Sequence, residues 1–336
     1  MPLPKKRVSC LNRYRHWQQR WLAVALMATA VNAAAQDEAD DVKSWLDRMN
    51  SAVESLNYRG SFVHVIGNNA ETLNIAHRNA DGEVRELIRS AEGSGREILR
   101  TPESVRSVLP DERLVVLEEP KGPSIAVASS LNYTDELENY YTMTTKTKGH
   151  VADRDTQVVS IRARDEYRFG YLLYLDLETA LPLRSEIRDD QGRVVEQMLF
   201  TTLEVVDALS ESAVEPVIDV EGFTWRRPVN PEPEAAPTGE IWGATRLPTG
   251  FGLSISRQSL LAGSTYPVQH LVYTDGLATV SVFISHPKSE VDMPEGFNRY
   301  GSTNAFTIRI DGRLATAMGE VPRRTVQMIA TSLDVR

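Results

Sequence analysis

In the run Tyr171-Leu172-Leu173-Tyr174-Leu175 neither set of alternate side chains is polar. Side chains along a strand point to opposite faces in turn, so this strand must be covered on both sides or must wall a cavity. Its neighbours are extended too. "YRGSFVHVIG" (58–67) alternates, with Phe62, His64 and Ile66 on one face and Val63 and Val65 on the other. "ETLNIAHR" (71–78), "EVRELIRS" (83–90), "RLVVLEE" (113–119), "QVVSIRAR" (157–164) and "YRFGYLLYLDL" (167–177) continue the series. Turns are marked by Ala80-Asp81-Gly82, Gly93-Ser94-Gly95, Leu109-Pro110-Asp111-Glu112 and Asp190-Gln191-Gly192. Short strands joined by tight turns pair antiparallel, because parallel pairing needs crossovers of a dozen residues or more. A helix precedes them: Val42, Trp45, Leu46, Met49, Val53 and Leu56 recur at helical spacing, with Asp40 or Asp41 as cap. A more helical or irregular stretch, Ser124 to Tyr141, interrupts the strands. A curled antiparallel sheet with helices against its concave side meets these demands over residues 37–225.

The segment 226–240, which contains Pro228, Pro231, Pro233 and Pro237, has no apolar periodicity and reads as a semi-rigid linker. A second unit, 241–336, follows. "VQHLVYTDGLATVSVFISH" (268–286) is a hairpin around Thr274-Asp275-Gly276, and "AFTIRIDGRLATAMG" (305–319) another, turning at Asp311-Gly312. Pro322 suits the first turn of a closing helix with Val326, Ile329, Ala330 and Leu333 on its buried stripe. The whole is α+β and mostly antiparallel β, a larger sheet unit followed by a smaller α+β one.

Residues 1–35 have the layout of a cleaved secretory signal. Lys5, Lys6, Arg7, Arg13, Arg15 and Arg20 precede the apolar run Trp21 to Val31, and Ala33-Ala34-Ala35 provides the cleavage site. The apolar run is shorter than the roughly 20 residues a bilayer span needs. An uncleaved N-terminal anchor is the alternative reading. The one cysteine, Cys10, lies before the apolar run, which is the wrong side for a lipid-modified cysteine. Without it the exported chain has no thiol, so disulfides, thiol catalysis and cysteine metal sites are excluded. Export also removes six positive charges and no negative ones, taking the formal net charge from −9 to −15. That balance argues against non-specific nucleic-acid binding and leaves open a basic partner or a local basic patch hidden by the average.

No reactive constellation emerges. His64, His77, His150, His270 and His286 show no H-x-x-x-H or H-E-x-x-H spacing, so the only zinc site left open is one assembled from distant residues. Ser94 in "EGSGRE" lacks the G-x-S-x-G spacing of a nucleophile elbow, and its glycines read as a hairpin turn. There is neither a Walker A loop nor a G-x-G-x-x-G fingerprint, so no nucleotide cofactor is expected. Adjacent acids such as Asp189-Asp190 and Glu118-Glu119 read as solvated faces. Trp45, Met49 and Phe62 with Tyr167, Phe169, Tyr171 and Tyr174 form either a dry core or the lining of an apolar pocket under the curved sheet.

"WLDRMNSAVESLNYRGSFVHV" (45–65), "RDEYRFGYLLYLDLETALPLRSEIRDDQGRVVEQMLFTTLEV" (164–205), "WGATRLPTGFGLSISRQ" (242–258), "PVQHLVYTDGLATVSVFIS" (267–285) and "NAFTIRIDGRLATAMGEVP" (304–322) resemble the MucB/RseB family, in its order and over nearly the whole chain. The resemblance implies a first domain similar to periplasmic lipoprotein carriers and receptors, an open half-barrel with helices on its concave face. It implies a non-enzymatic periplasmic regulator that binds the periplasmic domain of a single-span anti-sigma factor, shields it from regulated proteolysis and is released by lipopolysaccharide or other lipids. On this basis Trp45, Met49, Phe62 and Tyr171 are expected to face a lipid-binding interior, and His270, Tyr273 and Phe283 to contact the partner. Core packing is the competing role for each of these residues. A soluble carrier of lipoproteins or acyl chains is the alternative function, with a hydrolase third. No cofactor or metal is expected, and self-association is left open.

Overall fold

The computed structural model describes residues 41–93, 95–120, 131, 133–227, 240–259, 266–286 and 293–335. The expected export segment, the capping Asp40, Ser94, most of the linker and much of the interrupting stretch lie outside them. Helix α1 (41–55) opens the fold. The larger sheet is built from β1 (Asn57–Ile66), β2 (Asn69–Ala80), β3 (Glu83–Ser90), β4 (Glu97–Arg100), β5 (Val105–Leu109), β6 (Leu114–Glu118), β7 (Tyr141–Val151), β8 (Arg154–Ala163), β9 (Gly170–Asp176), β10 (Pro182–Arg188), β11 (Val194–Val206) and β12 (Thr224–Arg226). Their spatial order is β12-β6-β5-β4-β3-β2-β1-β11-β10-β9-β8-β7. Every neighbouring pair is antiparallel except β12, which lies parallel to β6. Two meanders thus meet where β1 pairs with β11, and a register shift between Ser61 and Phe62 bends the seam between them. Gly60 is required there, since a Cβ would stand 2.2 Å from the Thr202 carbonyl oxygen.

The apolar stripe of α1 is buried as its spacing predicts: Val42, Leu46, Met49, Ala52 and Val53 are all inside. Val42, Leu46 and Met49 pack with Val159, Ile161, Tyr171, Leu173 and Leu175 of β8 and β9. Ala52 and Val53 pack with Tyr58, Phe62, Leu73, Ile75 and Ile88 of β1 to β3. Val151, at the end of edge strand β7, belongs to that second cluster, and β7 approaches β11, four strands away in the order, so the sheet curls. Each such side chain contributes about 1.5–3 kcal/mol on burial. The doubly apolar strand is covered in two ways. Tyr171, Leu173 and Leu175 face α1, while Tyr174 on the other side lies 5.0 Å beneath the Arg184 guanidinium. Long side chains lying over apolar surface do the work of a second layer there.

The smaller unit has β13 (Trp242–Ala244), β14 (Gly252–Ser259), β15 (Val268–Thr274), β16 (Thr279–Ile284), β17 (Gly296–Tyr300), β18 (Thr303–Ile310), β19 (Arg313–Gly319), helix α2 (Arg323–Thr331) and β20 (Leu333–Val335). Six strands form one sheet in the order β14-β15-β16-β19-β18-β17, and β13 pairs with β20. Val326, Ile329 and Ala330 of α2 join Leu271, Tyr273, Val280, Val282, Ala315 and Ala317 in its core. Pro322 caps α2 rather than entering its first turn, and Leu333 packs from β20 rather than from the helix. Among the described residues no helix is long and apolar enough to cross a membrane.

Asp176 closes the β9–β10 turn. Its carboxylate accepts Arg154 through Nε at 3.0 Å and Nη2 at 2.8 Å, and Thr179 through its amide at 3.1 Å and hydroxyl at 2.6 Å. Burial would raise its pKa, but the hydrogen bonds from Arg154 and Thr179 and the charge of Arg154 outweigh burial and hold it below the ordinary carboxylate value. A lowered carboxylate stabilises the fold above its unfolded-state pKa, and that contribution is lost as pH falls through the folded value. Asp176→Asn should therefore destabilise the protein at neutral pH and make its unfolding free energy less steep with pH below about 4. Urea titrations across that range measure the effect; an unchanged acid slope would remove Asp176 from the account.

Candidate functional site

Three regions can carry a binding function: the concave core under α1, the open face of the smaller sheet, and the seam between the two units. In the first, Met49 and Tyr171 share one cluster, with Trp45 half-buried at its edge beneath the Arg48 guanidinium at 4.2 Å. Phe62 lies in the adjoining cluster, tilted against Phe200 with ring centroids 5.6 Å apart. Met49 and Phe62 are 1% and 2% exposed, so they pack against neighbours in the docked position of α1. Burial first, and then the charges of Glu320, Asp275 and Glu196, push the Tyr171 hydroxyl well above its usual range and keep it neutral. Open clefts of about 450 and 590 Å³ lie elsewhere, among outward side chains of the larger sheet such as Arg59, Arg89 and Glu204 in one and Arg162, Leu172 and Arg188 in the other.

On the smaller sheet, His270 of β15 faces Phe283 of β16 across the ladder, and their rings stack 4.4 Å apart. Arg257 Nε donates to His270 Nδ1 at 3.2 Å, which places the ring proton on Nε2, 3.2 Å from Ser281 Oγ. Ile255, 41% exposed, and half-buried Val272 and Met318 extend this patch across β14, β15 and β19. Tyr273 does not belong to it. Alternation turns its side chain inward, where it is fully buried and its hydroxyl accepts the Ala244 amide at 2.7 Å. The expected surface therefore reduces to His270 and Phe283, with Ile255 added.

The seam was not legible as a site. Arg168, between β8 and β9, is completely buried, yet it reaches into the smaller unit. Its Nη1 donates to Asp275 at 2.8 Å, Nη2 to the Thr249 carbonyl at 2.6 Å, and Nε to Asp165 at 3.2 Å. The rings of Tyr140, Tyr141 and Phe251 surround the guanidinium at 4.9, 5.5 and 5.2 Å. Asp275 is saturated in turn. It accepts the Tyr141 hydroxyl at 3.0 Å and the Leu277 and Ala278 amides at 2.9 and 2.7 Å. Desolvation, then the Asp275 charge, drive the Tyr141 hydroxyl far up, so it remains a donor. Around this centre Arg324 of α2 pairs with Glu166 and, at 3.7 Å, with Asp190; Thr325 Oγ1 donates to the Tyr167 carbonyl at 2.6 Å. A further contact joins Ser302 to Glu320 at 2.8 Å and to Glu196, which also takes His64 at 2.8 Å. Burial raises Glu196, but His64 and Ser302 more than offset it and hold the group low, whereas Glu320 is raised by desolvation and by the facing Glu196. Among the described residues no cluster of His, Cys, Asp or Glu could hold a metal ion.

The MucB/RseB N-terminal domain model matches residues 41–218 and the MucB/RseB C-terminal domain model matches 236–334. The chain belongs to the MucB/RseB family. It is 28% identical to the sigma-E factor regulatory protein RseB of Salmonella typhimurium, over 95% of this chain and 99% of that one. It is 27% identical to the sigma factor AlgU regulatory protein MucB of Pseudomonas aeruginosa, over 94% and 97%. Among solved structures, the Pseudomonas aeruginosa MucA/MucB complex aligns with a TM-score of 0.67 at 25% identity, covering 88% of this chain and 99% of that one. MucB in complex with MucA(peri) aligns with a TM-score of 0.65 at 26% identity, covering 87% and 98%. The relatives are named as regulators, not as enzymes.

Replacing a packed core methionine by alanine costs about 2–5 kcal/mol. Met49→Ala is expected to lose that much by chemical denaturation. A loss of only a few tenths would mean that the site under α1 is already slack.

Proposed function

We propose that this chain is a non-enzymatic regulator exported to the periplasm by cleavage of residues 1–35. There it binds the periplasmic domain of a single-span anti-sigma factor, covers its scissile region and so restrains an envelope-stress sigma factor. The observation that carries the reading is likeness along both units to MucB in complex with MucA, at TM-scores of 0.65 to 0.67. Protection by occupancy needs no catalytic group; ordering a flexible segment on a surface is enough. The open face holding His270, Phe283 and Ile255 supplies aromatic and aliphatic contact area of the kind that anchors an interface. Lipid or lipopolysaccharide signals release the partner by binding better to the partner-free arrangement, and by no more than that difference in affinity. Phe62 and Tyr171 lie beneath α1, and Met49 points into the same core from the helix with Trp45 at its edge, so an acyl chain would reach them by displacing α1.

The reading is tested by cleaving the anti-sigma periplasmic domain with its site-one protease, with and without the purified chain. Slower cleavage in proportion to occupancy is expected, and equal rates would defeat the proposal. Within that assay, combined His270→Ala and Phe283→Ala should weaken partner binding about tenfold or more, or about 1.4 kcal/mol. Both side chains are half-buried, so the melting temperature should move little. Tyr273→Phe should do the reverse, lowering stability through the lost Ala244 hydrogen bond while leaving affinity unchanged.

A further inference from the structure

The two units meet at a point where charge is concentrated and sealed. Arg168 and Asp275 are both fully desolvated at the side chain, 2.8 Å apart, and belong to different units. Every other strong contact of Asp275 is local to its own turn except the Tyr141 hydroxyl, which comes from the larger unit. Arg168 similarly holds Asp165 at home and Thr249 across the seam. A Cβ on Gly250 would stand 2.4 Å from the Tyr140 ring, so the aromatic wall of the larger unit lies directly on the backbone of the smaller one.

From this arrangement we infer that the Arg168–Asp275 pair is a conformational latch, buried when the two units are docked and hydrated when they separate. Desolvating two charges offsets most of their mutual attraction, so a pair of this kind sets orientation more than it adds stability. When the units part, both groups regain water, which offsets part of the cost of exposing the Tyr140, Tyr141 and Phe251 rings around them. The equilibrium is therefore shallow in the intact pair and biased strongly when only one partner is removed. Arg324 with Glu166 and Asp190, at the exposed rim, closes the same seam and is screened by salt. A ligand preferring either arrangement can shift such an element by its difference in affinity alone.

The inference does not depend on any partner and is tested without one. Spin labels at Glu83→Cys in the larger unit and Gln327→Cys in the smaller, with Cys10→Ser in the full chain, report the distance between units by pulsed electron resonance. The intact pair should give a main short distance and a minor longer one. Arg168→Met or Asp275→Asn alone should raise the longer population at least tenfold, because each leaves one charge or its substitute mismatched in a sealed site. The double variant should fall well below both singles, since a neutral amide at 275 still serves the Leu277 and Ala278 amides and only the Thr249 bond stays lost. Singles that keep the wild-type distances, or a double as open as the singles, would overturn the latch. Should a single variant not fold, the labels are read in Tyr141→Phe, which removes only the hydroxyl that Asp275 accepts across the seam. Growth of the longer population supports the latch, and an unchanged distribution refutes it.

Discussion

A hollow sheet lined with apolar side chains cannot face water, and the cover that α1 provides is the constraint around which the larger unit is arranged. Val42, Leu46, Met49 and Val53 enter the curl along one stripe, bridging the two apolar clusters beneath the sheet. The register shift at Ser61–Phe62 and the bare backbone of Gly60 let that pairing bend.

The second constraint is electrostatic. A fully buried guanidinium costs too much to desolvate unless its donors are taken, and Arg168 has carboxylate, carbonyl and aromatic partners drawn from both units. The smaller sheet consequently stands with one end against the larger, leaving its His270–Phe283 face uncovered. The same geometry that fixes orientation frees a surface for a partner.

Much of the fold was legible from local pattern. β3 spans the residues its alternation marked, Glu83–Ser90, and both hairpins of the smaller unit turn where Asp-Gly pairs stand. The strands that escaped notice, β4, β5, β7, β13, β14, β17 and β20, are short or carry polar runs such as Thr144 to Lys148, where alternation is lost. The parallel strand β12 escaped for another reason: only three residues pair, and their partner Leu114 to Val116 is more than a hundred residues away. Of the candidate site residues, alternation along β15 could already have separated Tyr273 from His270, because adjacent strand residues face opposite ways.

By itself the sequence determined the antiparallel character, the amphipathic helices, the turn positions and, through long matching blocks, the family. These depend on neighbours in the chain, whose periodicity is written residue by residue. Only the tertiary structure decided that Arg168, set between Tyr167 and Phe169, turns into a seam rather than into water. The same is true of Asp275, which is a turn former in one unit and the counter-charge of another. Whether a charge is paired depends on what arrives from 107 residues away, and no local pattern encodes that distance.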